Sequence, residues 1–219
     1  MEGIKSIIMI KFYIITLFPE AFESYFQSSI LKKAQDKGIV KINFINPRDF
    51  SNDKYKKVDD KAFGGGPGMV MKVEPILKAI QSIEKEKNSR VILFSTRGKK
   101  FDQKIVKRLS KYNNLILICG RYEGIDERVA KYIADEEMSI GNYVLTGGEI
   151  PAMVVVDAVS RFVPGVLGKT ESLEEIKGSY PVYTRPEQVI LNKKKRVVPK
   201  VLLSGDHKKI REYRLKNRG

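Results

Sequence analysis

Short apolar segments alternate with amphipathic helical patterns along the first half of this chain, and the alternation restricts the folds open to it. Four strands are predicted from runs rich in β-branched and aromatic residues: Lys11–Leu17, Val40–Asn46, Arg90–Ser95 and Leu115–Cys119. The intervening helical patterns are Glu20–Lys37, Val73–Lys85 and Phe101–Lys111. Strands that are joined by helical crossovers form a parallel sheet, so the sequence predicts an α/β fold.

Glycine is concentrated in three segments, Phe63–Met69, Cys119–Gly124 and Ser139–Glu149. None of them fits the dinucleotide fingerprint GxGxxG or the phosphate-binding P-loop. Glycine at this density marks backbone that turns sharply or lies against a ligand. The sequence therefore predicts a small molecule held by main-chain groups, although a tight turn before the next helix would also explain Gly147 and Gly148.

The net charge of the 219-residue chain is +15, with 41 basic and 26 acidic residues. Residues 192–219 carry eleven basic side chains against two acidic ones and so supply +9 of that charge. Clustered positive charge suits a polyanion such as a nucleic acid, whereas the alternative is a solvated basic tail. The clustering favours nucleic acid.

Cysteine and histidine occur once each, as Cys119 and His207. A lone cysteine at the end of a strand pattern predicts a buried thiol and a reducing, cytoplasmic setting. A lone histidine argues against a zinc site or a histidine-based triad, so no metal site is predicted, while assistance by a divalent ion stays open. No apolar run approaches the roughly 18 residues that span a bilayer, and no membrane role is expected.

The second half of the chain divides into three parts. Pro151–Phe162 is apolar on nearly every face, which predicts a helix covered on both sides, for example at a subunit interface. A linker is predicted over residues 169–186, after a first domain of residues 9–168. Residues 187–219 form a basic unit with a helix that starts at Asp206, and its thin apolar stripe predicts an incomplete helical unit.

Seven motifs in one order make the chain resemble the bacterial tRNA (guanine-N1)-methyltransferases, the TrmD family. They are IITLFPE (14–20), VDD-FGGGPGMVMK (58–72), GRYEGIDERV (120–129), SIGNYVLTGGE (139–149), RFVPGVLG (161–168), YTRPE (183–187) and VLLSGDH (201–207). The resemblance implies a trefoil-knotted domain of the SPOUT class, an exception to the rule against knots, acting as a homodimer with active sites at the subunit interface. It also implies methyl transfer from S-adenosylmethionine to N1 of the guanine immediately 3′ of the anticodon.

The loops 94–98, 120–124 and 139–148 each follow a strand pattern, so they gather at the carboxyl edge of a parallel sheet. The resemblance makes these loops the S-adenosylmethionine site. The implied contact residues are Phe94, Ser95, Gly98, Gly120, Tyr122, Glu123, Gly124, Ile140, Gly141, Asn142, Tyr143, Val144, Leu145, Gly147 and Gly148. Thr96 and Arg97 stand where Pro-Gln is common in the family, and Asn142 stands where Asp is common.

Methylation of guanine N1 requires loss of its proton while negative charge builds on O6. Arg161 matches the family's arginine for the charge on O6. The family's linker aspartate has no counterpart between residues 174 and 181, so Glu175 is the candidate base, with Glu174 as the alternative. A sequence short of some linker residues, or an impaired enzyme, would equally explain the missing aspartate.

The resemblance also assigns positions to tRNA. They are Asp60, Gly65, Gly66, Arg185, Lys193, Lys194, Lys195 and Arg196. Two other interpretations stay open: another SPOUT methyltransferase acting on ribose or a different base, and a catalytically weak homologue that binds RNA or cofactor.

Overall fold

The computed structural model describes residues 9–84, 86–167 and 179–218, and the chain divides into two units, Met1–Leu167 and Gly168–Gly219. The strands of the first unit are β1 (Ile10–Ile15), β2 (Val40–Ile45), β3 (Asp59–Asp60), β4 (Val70–Met71), β5 (Ser89–Lys100), β6 (Asn114–Ile118) and β7 (Glu136–Ser139). Its α-helices are α1 (Glu23–Phe26), α2 (Ser29–Asp36), α3 (Val73–Gln81), α4 (Gln103–Leu109), α5 (Glu127–Tyr132) and α6 (Glu149–Ser160). Short 3-10 helices cover Pro19–Phe22 and Pro47–Phe50.

A parallel sheet of five strands, in the order β2-β1-β6-β5-β7, forms the centre of the first unit. The predicted α/β fold with a parallel sheet is confirmed. Strand β7 was predicted only as a strand pattern before the loop 139–148, without bounds, and Glu136 and Glu137 interrupt any apolar run there. It is a strand because it pairs with β5, where Ile92 lies opposite Glu136.

The central strand β6 divides the core between the two faces of the sheet. Leu115 and Leu117 face one cluster, which is completed by α1, α2, α4 and α6. Ile116 and Ile118 face the other cluster, which includes side chains of α3 and α5. All four are fully buried, and burial of each such side chain contributes about 1.5–3 kcal/mol. Helices on both faces therefore fix the strands whose carboxyl ends carry the loops described below.

The single helix predicted over residues 20–37 is wrong. A 3-10 turn, α1 and α2 replace it, and Ser28 between the two helices has extended backbone. The Ser28 hydroxyl donates to the carbonyl of Tyr25 at 2.8 Å, which helps to end α1. Phe22 and Phe26, four residues apart and both before the break, are buried in the core with ring centroids 5.5 Å apart. The helical spacing therefore predicted the buried face correctly but not the break.

The second unit contains a hairpin and two helices. These are β8 (Gln188–Leu191), β9 (Lys194–Val197), α7 (Lys200–Leu203) and α8 (His207–Lys216). The hairpin was not predicted. Asp206 is the N-cap of α8, as expected, and its carboxylate accepts from the amides of Lys208 and Lys209 at 3.1 Å.

Two further points concern the chain as a whole. No helix among the described residues is long and apolar enough to cross a membrane. The trefoil knot stays a prediction, since strand order and register do not by themselves record how the chain threads.

Candidate functional site

A cavity of about 470 Å³ lies at the carboxyl edge of the sheet, where the chain bulges out of β5 and leaves β6 and β7. The three predicted loops come together here. Thirteen predicted residues line it: Phe94, Ser95, Gly120, Tyr122, Glu123, Gly124, Ile140, Gly141, Tyr143, Val144, Leu145, Gly147 and Gly148. The argument that parallel strands deliver their loops to one edge therefore located the pocket.

Two predicted contact residues do not line this pocket. Gly98 lies against the backbone of Glu137 and Met138, where a side chain would overlap the neighbouring strand. Because Gly98 has no side chain, the chain can approach β7 closely enough after the bulge to resume pairing with it. Asn142 is exposed and is absent from the pocket lining.

The glycines of the pocket wall are required by close approach. A Cβ atom on Gly148 would lie 2.5 Å from Cα of Cys119, and the Gly148 amide donates to the carbonyl of Gly120 at 3.0 Å. A Cβ atom on Gly141 would overlap the ring of Tyr143. Both loops therefore present main-chain groups to the cavity. The tight-turn explanation for Gly148 is incomplete, because its lack of a side chain also brings two loops together.

Sequence reasoning missed a buried ion pair behind this wall. Arg121 Nε lies 3.0 Å from Oε2 of Glu149, a carboxylate that is only 4% exposed. The hydroxyl of Thr16 donates to the other carboxylate oxygen at 2.9 Å. Arg121 also donates to the carbonyl of Thr146 at 3.3 Å and lies over the ring of Phe18. An acid directly after two glycines and before an apolar helix was the signal available in the sequence.

A second arginine stands on the rim, on the bulge of β5. Arg97 Nε lies 3.1 Å from Oε2 of Glu137, and the same guanidinium also contacts Glu127. Hydrogen bonds to Glu127 and Glu137 raise the pKa of Arg97 above its usual value. The unusual residue at position 97 is therefore fixed by two carboxylates. Sequence reasoning named it only as a departure from the family pattern.

Comparison with known proteins agrees with this arrangement. A family model described as tRNA (Guanine-1)-methyltransferase TrmD matches residues 10–219. The chain belongs to this family.

Individual relatives point the same way. A tRNA (guanine-N(1)-)-methyltransferase of Carboxydothermus hydrogenoformans is 57% identical over 211 residues, which cover 94% of this chain and 81% of the relative. One from Clostridioides difficile is 50% identical over 93% of this chain and 90% of its own length. The crystal structure of tRNA (m1G37) methyltransferase from Aquifex aeolicus aligns with a TM-score of 0.78 at 42% identity, over 95% and 88% of the two chains.

The glycine-rich TrmD-family segment at 63–69 is fixed beside the pocket. Gly65 and Gly66 have left-handed backbone, with φ of 80° and 114°. The amide of Glu123 donates to the carbonyl of Met69, and the amide of Met71 donates to the carbonyl of Gly124, each at 3.0 Å. The segment therefore adjoins the loop after β6 through main-chain bonds.

Asp60, in β3, precedes this segment and is exposed. Its carboxylate accepts from the Lys61 amide and pairs with Lys72 Nζ at 3.2 Å, and these two contacts lower its pKa. The contact of Asp60 with tRNA stays a prediction. Tyr122 nearby has a left-handed φ of 61°, a strained conformation for a non-glycine residue that is typical of functional loops.

Arg161 lies at the carboxyl end of α6 and is absent from the lining of the large cavity. It lines two smaller cavities, of about 160 and 380 Å³, together with Tyr25 and Asp157. The Tyr25 hydroxyl donates to the Asp157 carboxylate, and this bond raises the pKa of Tyr25. Within one chain the predicted catalytic arginine and the predicted cofactor pocket are thus separate.

The remaining predicted residues fall into two groups. Glu174 and Glu175 lie outside the described residues. Arg185 and the basic run Lys193–Arg196 belong to the second unit and are exposed.

Cys119 is buried, as predicted, and desolvation raises the pKa of its thiol well above the usual value. Among the described residues, no group of three or more histidine, cysteine or acidic side chains is placed to hold a metal ion.

Proposed function

We propose that this protein transfers a methyl group from S-adenosylmethionine to N1 of the guanine immediately 3′ of the anticodon in tRNA. The observation that carries the proposal is the glycine-walled cavity at the carboxyl edge of the sheet in a member of the TrmD family. A tRNA substrate also fits a chain of net charge +15, and it implies a cytoplasmic location.

The pocket suits the proposed methyl donor in size and chemistry. Its volume of about 470 Å³ lies within the range usual for small-molecule sites, roughly 300–1,000 Å³. Main-chain groups around Gly120 and residues 140–145 can pair with the edges of an adenine ring, which needs donors and acceptors rather than charge. When bound, S-adenosylmethionine supplies the electrophilic methyl group.

The chemistry at guanine assigns two tasks to protein side chains. As N1 loses its proton, negative charge grows on O6, and a guanidinium placed there stabilises the transition state more than the ground state. Arg161 is proposed for this task. Glu175, or Glu174, is proposed as the base that accepts the N1 proton.

A homodimer would bring Arg161 to a pocket. The inner face of α6 is buried through Val155 and Val159, while Ile150 and Val154 on the other side are 52% and 39% exposed. These exposed side chains line the apolar groove of about 380 Å³ that also contains Arg161. A second copy of the chain docked on this face would cover the apolar surface and place Arg161 of one subunit beside the pocket of the other.

The dimer proposal has a direct test. Sedimentation equilibrium at micromolar concentration should give twice the chain mass. Val154→Asp should shift the protein toward monomer, because it places a charge in the apolar face, whereas Val189→Asp on the exposed hairpin should leave the mass unchanged. A monomeric parent would contradict the proposal.

For the RNA, we propose contacts on two parts of the chain. Asp60, Gly65 and Gly66 adjoin the pocket and would meet bases near the anticodon. Arg185 and the run Lys193–Arg196, in the proposed tRNA-binding unit of residues 187–219, would meet phosphates.

The deciding experiment is a methylation assay with labelled S-adenosylmethionine. The substrates are two tRNA transcripts that differ only in having guanine or adenine directly 3′ of the anticodon. Nucleoside digestion of the guanine transcript should yield 1-methylguanosine, and the adenine transcript should stay unlabelled. A 2′-O-methyl product would favour another SPOUT activity, and binding without turnover would favour a catalytically weak homologue.

A further inference from the structure

The charged side chains in and directly behind the wall of the large pocket are mostly acidic, in contrast to the chain as a whole. Those that line the pocket, Arg97, Arg121, Glu123 and Glu127, balance one another. The two arginines are held from behind by two more carboxylates, Glu137 and Glu149. These six side chains sum to a formal charge of −2, or −1 when Arg48, which donates to the hydroxyl of Tyr122, is included, in a chain whose net charge is +15.

These carboxylates differ in how strongly water screens them. Glu149 is 4% exposed and the Glu137 side chain is 21% exposed, whereas Glu127 is 64% exposed. Charges in a poorly hydrated wall interact over longer distances than charges in bulk water. Removing the charge of Glu149, and to a lesser degree that of Glu137, should therefore change the potential in the pocket more than removing that of Glu127.

The ligands of the proposed reaction differ in charge at this place. S-adenosylmethionine carries a sulfonium, an ammonium and a carboxylate, which sum to +1 near neutral pH. S-adenosylhomocysteine, the product, has lost the sulfonium charge and is neutral overall. The two molecules have nearly the same shape, so a pocket that distinguishes them has to use charge.

We propose that Glu149 and Glu137 are specificity-determining residues, which offset the pocket arginines and thereby favour the cationic methyl donor over its neutral product. The inference rests on the proposed function for the identity of the ligands. The same negative potential would keep phosphate groups of RNA out of the cofactor pocket, although the rest of the protein attracts them.

Calorimetric binding of both ligands to the full chain tests the proposal without any need for turnover. In Glu149→Gln, which keeps the shape and an acceptor for Thr16, the ratio of the Kd for S-adenosylmethionine to that for S-adenosylhomocysteine should rise about three- to tenfold. Glu74→Gln is the matched control. It removes the same charge from an exposed position on α3 outside the pocket lining and should leave the ratio unchanged.

A charge-balanced double variant separates charge from shape. Arg121→Gln combined with Glu149→Gln removes one positive and one negative charge, so it should restore the parental ratio even where both affinities fall. If Glu149→Gln does not fold, Glu137→Gln is the alternative, because it leaves the Arg121–Glu149 pair intact. It should raise the Kd ratio about two- to threefold, less than removal of the more deeply buried Glu149 charge would.

Four outcomes would overturn the inference. One is an equal loss of affinity for both ligands in both single variants, which would mean that the carboxylates only shape the wall. Another is a double variant whose ratio stays as high as that of Glu149→Gln. A parent that binds neither ligand would overturn the proposed function together with this inference, whereas binding of both with an unchanged ratio would overturn the inference alone.

Discussion

The two units of this chain use their residues in opposite ways. The first unit buries side chains on both faces of its sheet, and even the polar residues Glu149 and Thr16 behind the pocket are buried. In the second unit none of the residues 179–218 is buried, and all eight residues of its hairpin strands are exposed. A packed core holds loops in fixed geometry, whereas an exposed element presents charge to a partner.

Local hydrogen bonds take the place of a core in the second unit. Asn192 and Lys193 form the hairpin turn with left-handed φ of 51° and 59°, as two-residue hairpin turns require. Asp206 caps α8, and Arg214 lies over the ring of Tyr180. Each of these local interactions contributes little to stability. The same kind of substitution should therefore have a much larger effect in the first unit than in the second.

The largest expected effect is on the stability of the first unit. Leu117→Ala removes a fully buried side chain from the central strand and should lower the free energy of unfolding by about 2–5 kcal/mol. Leu203→Ala, the same change at a residue that is 49% exposed in the second unit, should cost less than about 1 kcal/mol. Urea unfolding followed by circular dichroism measures both, and equal losses would contradict the contrast.

Next is the catalytic role proposed for Arg161, at the end of α6 in the first unit. Arg161→Ala should slow methyl transfer about 10²–10³-fold, because its charge acts on O6 mainly in the transition state. Binding of S-adenosylmethionine and of tRNA should change little. Single-turnover rates and calorimetric Kd values separate the two effects. Arg161→Lys, which keeps the charge but not the fork of donors, should recover part of the rate.

RNA affinity should depend on one face of the hairpin. Val189 pairs with Arg196 and Leu191 with Lys194, so both basic residues project on the same side, while Lys195 pairs with Ile190 on the other. Since a single RNA strand meets one face, the double variant Lys194→Ala, Arg196→Ala should weaken tRNA binding. The slope of log K against log salt should fall by roughly 1.4–1.8.

Lys195→Ala compares the two faces of the hairpin. It removes one charge from the opposite face of the same strand and should lower the affinity and the salt slope less, per charge removed, than the double variant does. Filter binding at several salt concentrations measures all three proteins. If Lys195→Ala lowers the affinity and the salt slope as much per charge removed as the double variant does, both faces of the hairpin contribute equally to RNA binding.

The smallest effect concerns an ion-pair cluster of the first unit. Burial alone would raise the pKa of Glu136, but hydrogen bonds from Arg108 and Arg90 lower it below its usual value. Because the pKa of Glu136 is lowered in the folded protein, its ionised form stabilises the fold at pH values above the usual pKa of a glutamate. That stabilisation is lost as the pH falls through the pKa of the folded protein. Glu136→Gln should therefore cost about 1 kcal/mol at pH 7.

The pH dependence is the check on that assignment. The stability difference between the parent and Glu136→Gln should persist at neutral pH and shrink as the pH falls below about 4.5, the usual value for a glutamate. A difference that stays constant down to the acid transition would show that the glutamine acts through packing rather than charge.

The sequence by itself determined the parallel α/β sheet, the edge at which the pocket forms and most of its lining. Those features follow from local signals: apolar strands such as Leu115–Cys119, glycines at Gly141 and Gly148, and the cap at Asp206. Family motifs supplied the proposed reaction, because its chemistry is attached to particular residues such as Arg161.

Only the tertiary structure decided which distant residues meet. Strand β7 is polar and exists through its pairing with β5, and the helical pattern of residues 20–37 did not reveal the break at Ser28. Glu149 reads as an ordinary acid at a helix start until packing buries it against Arg121 and Thr16. Burial and long-range pairing depend on what the rest of the chain brings near, and no local pattern encodes that.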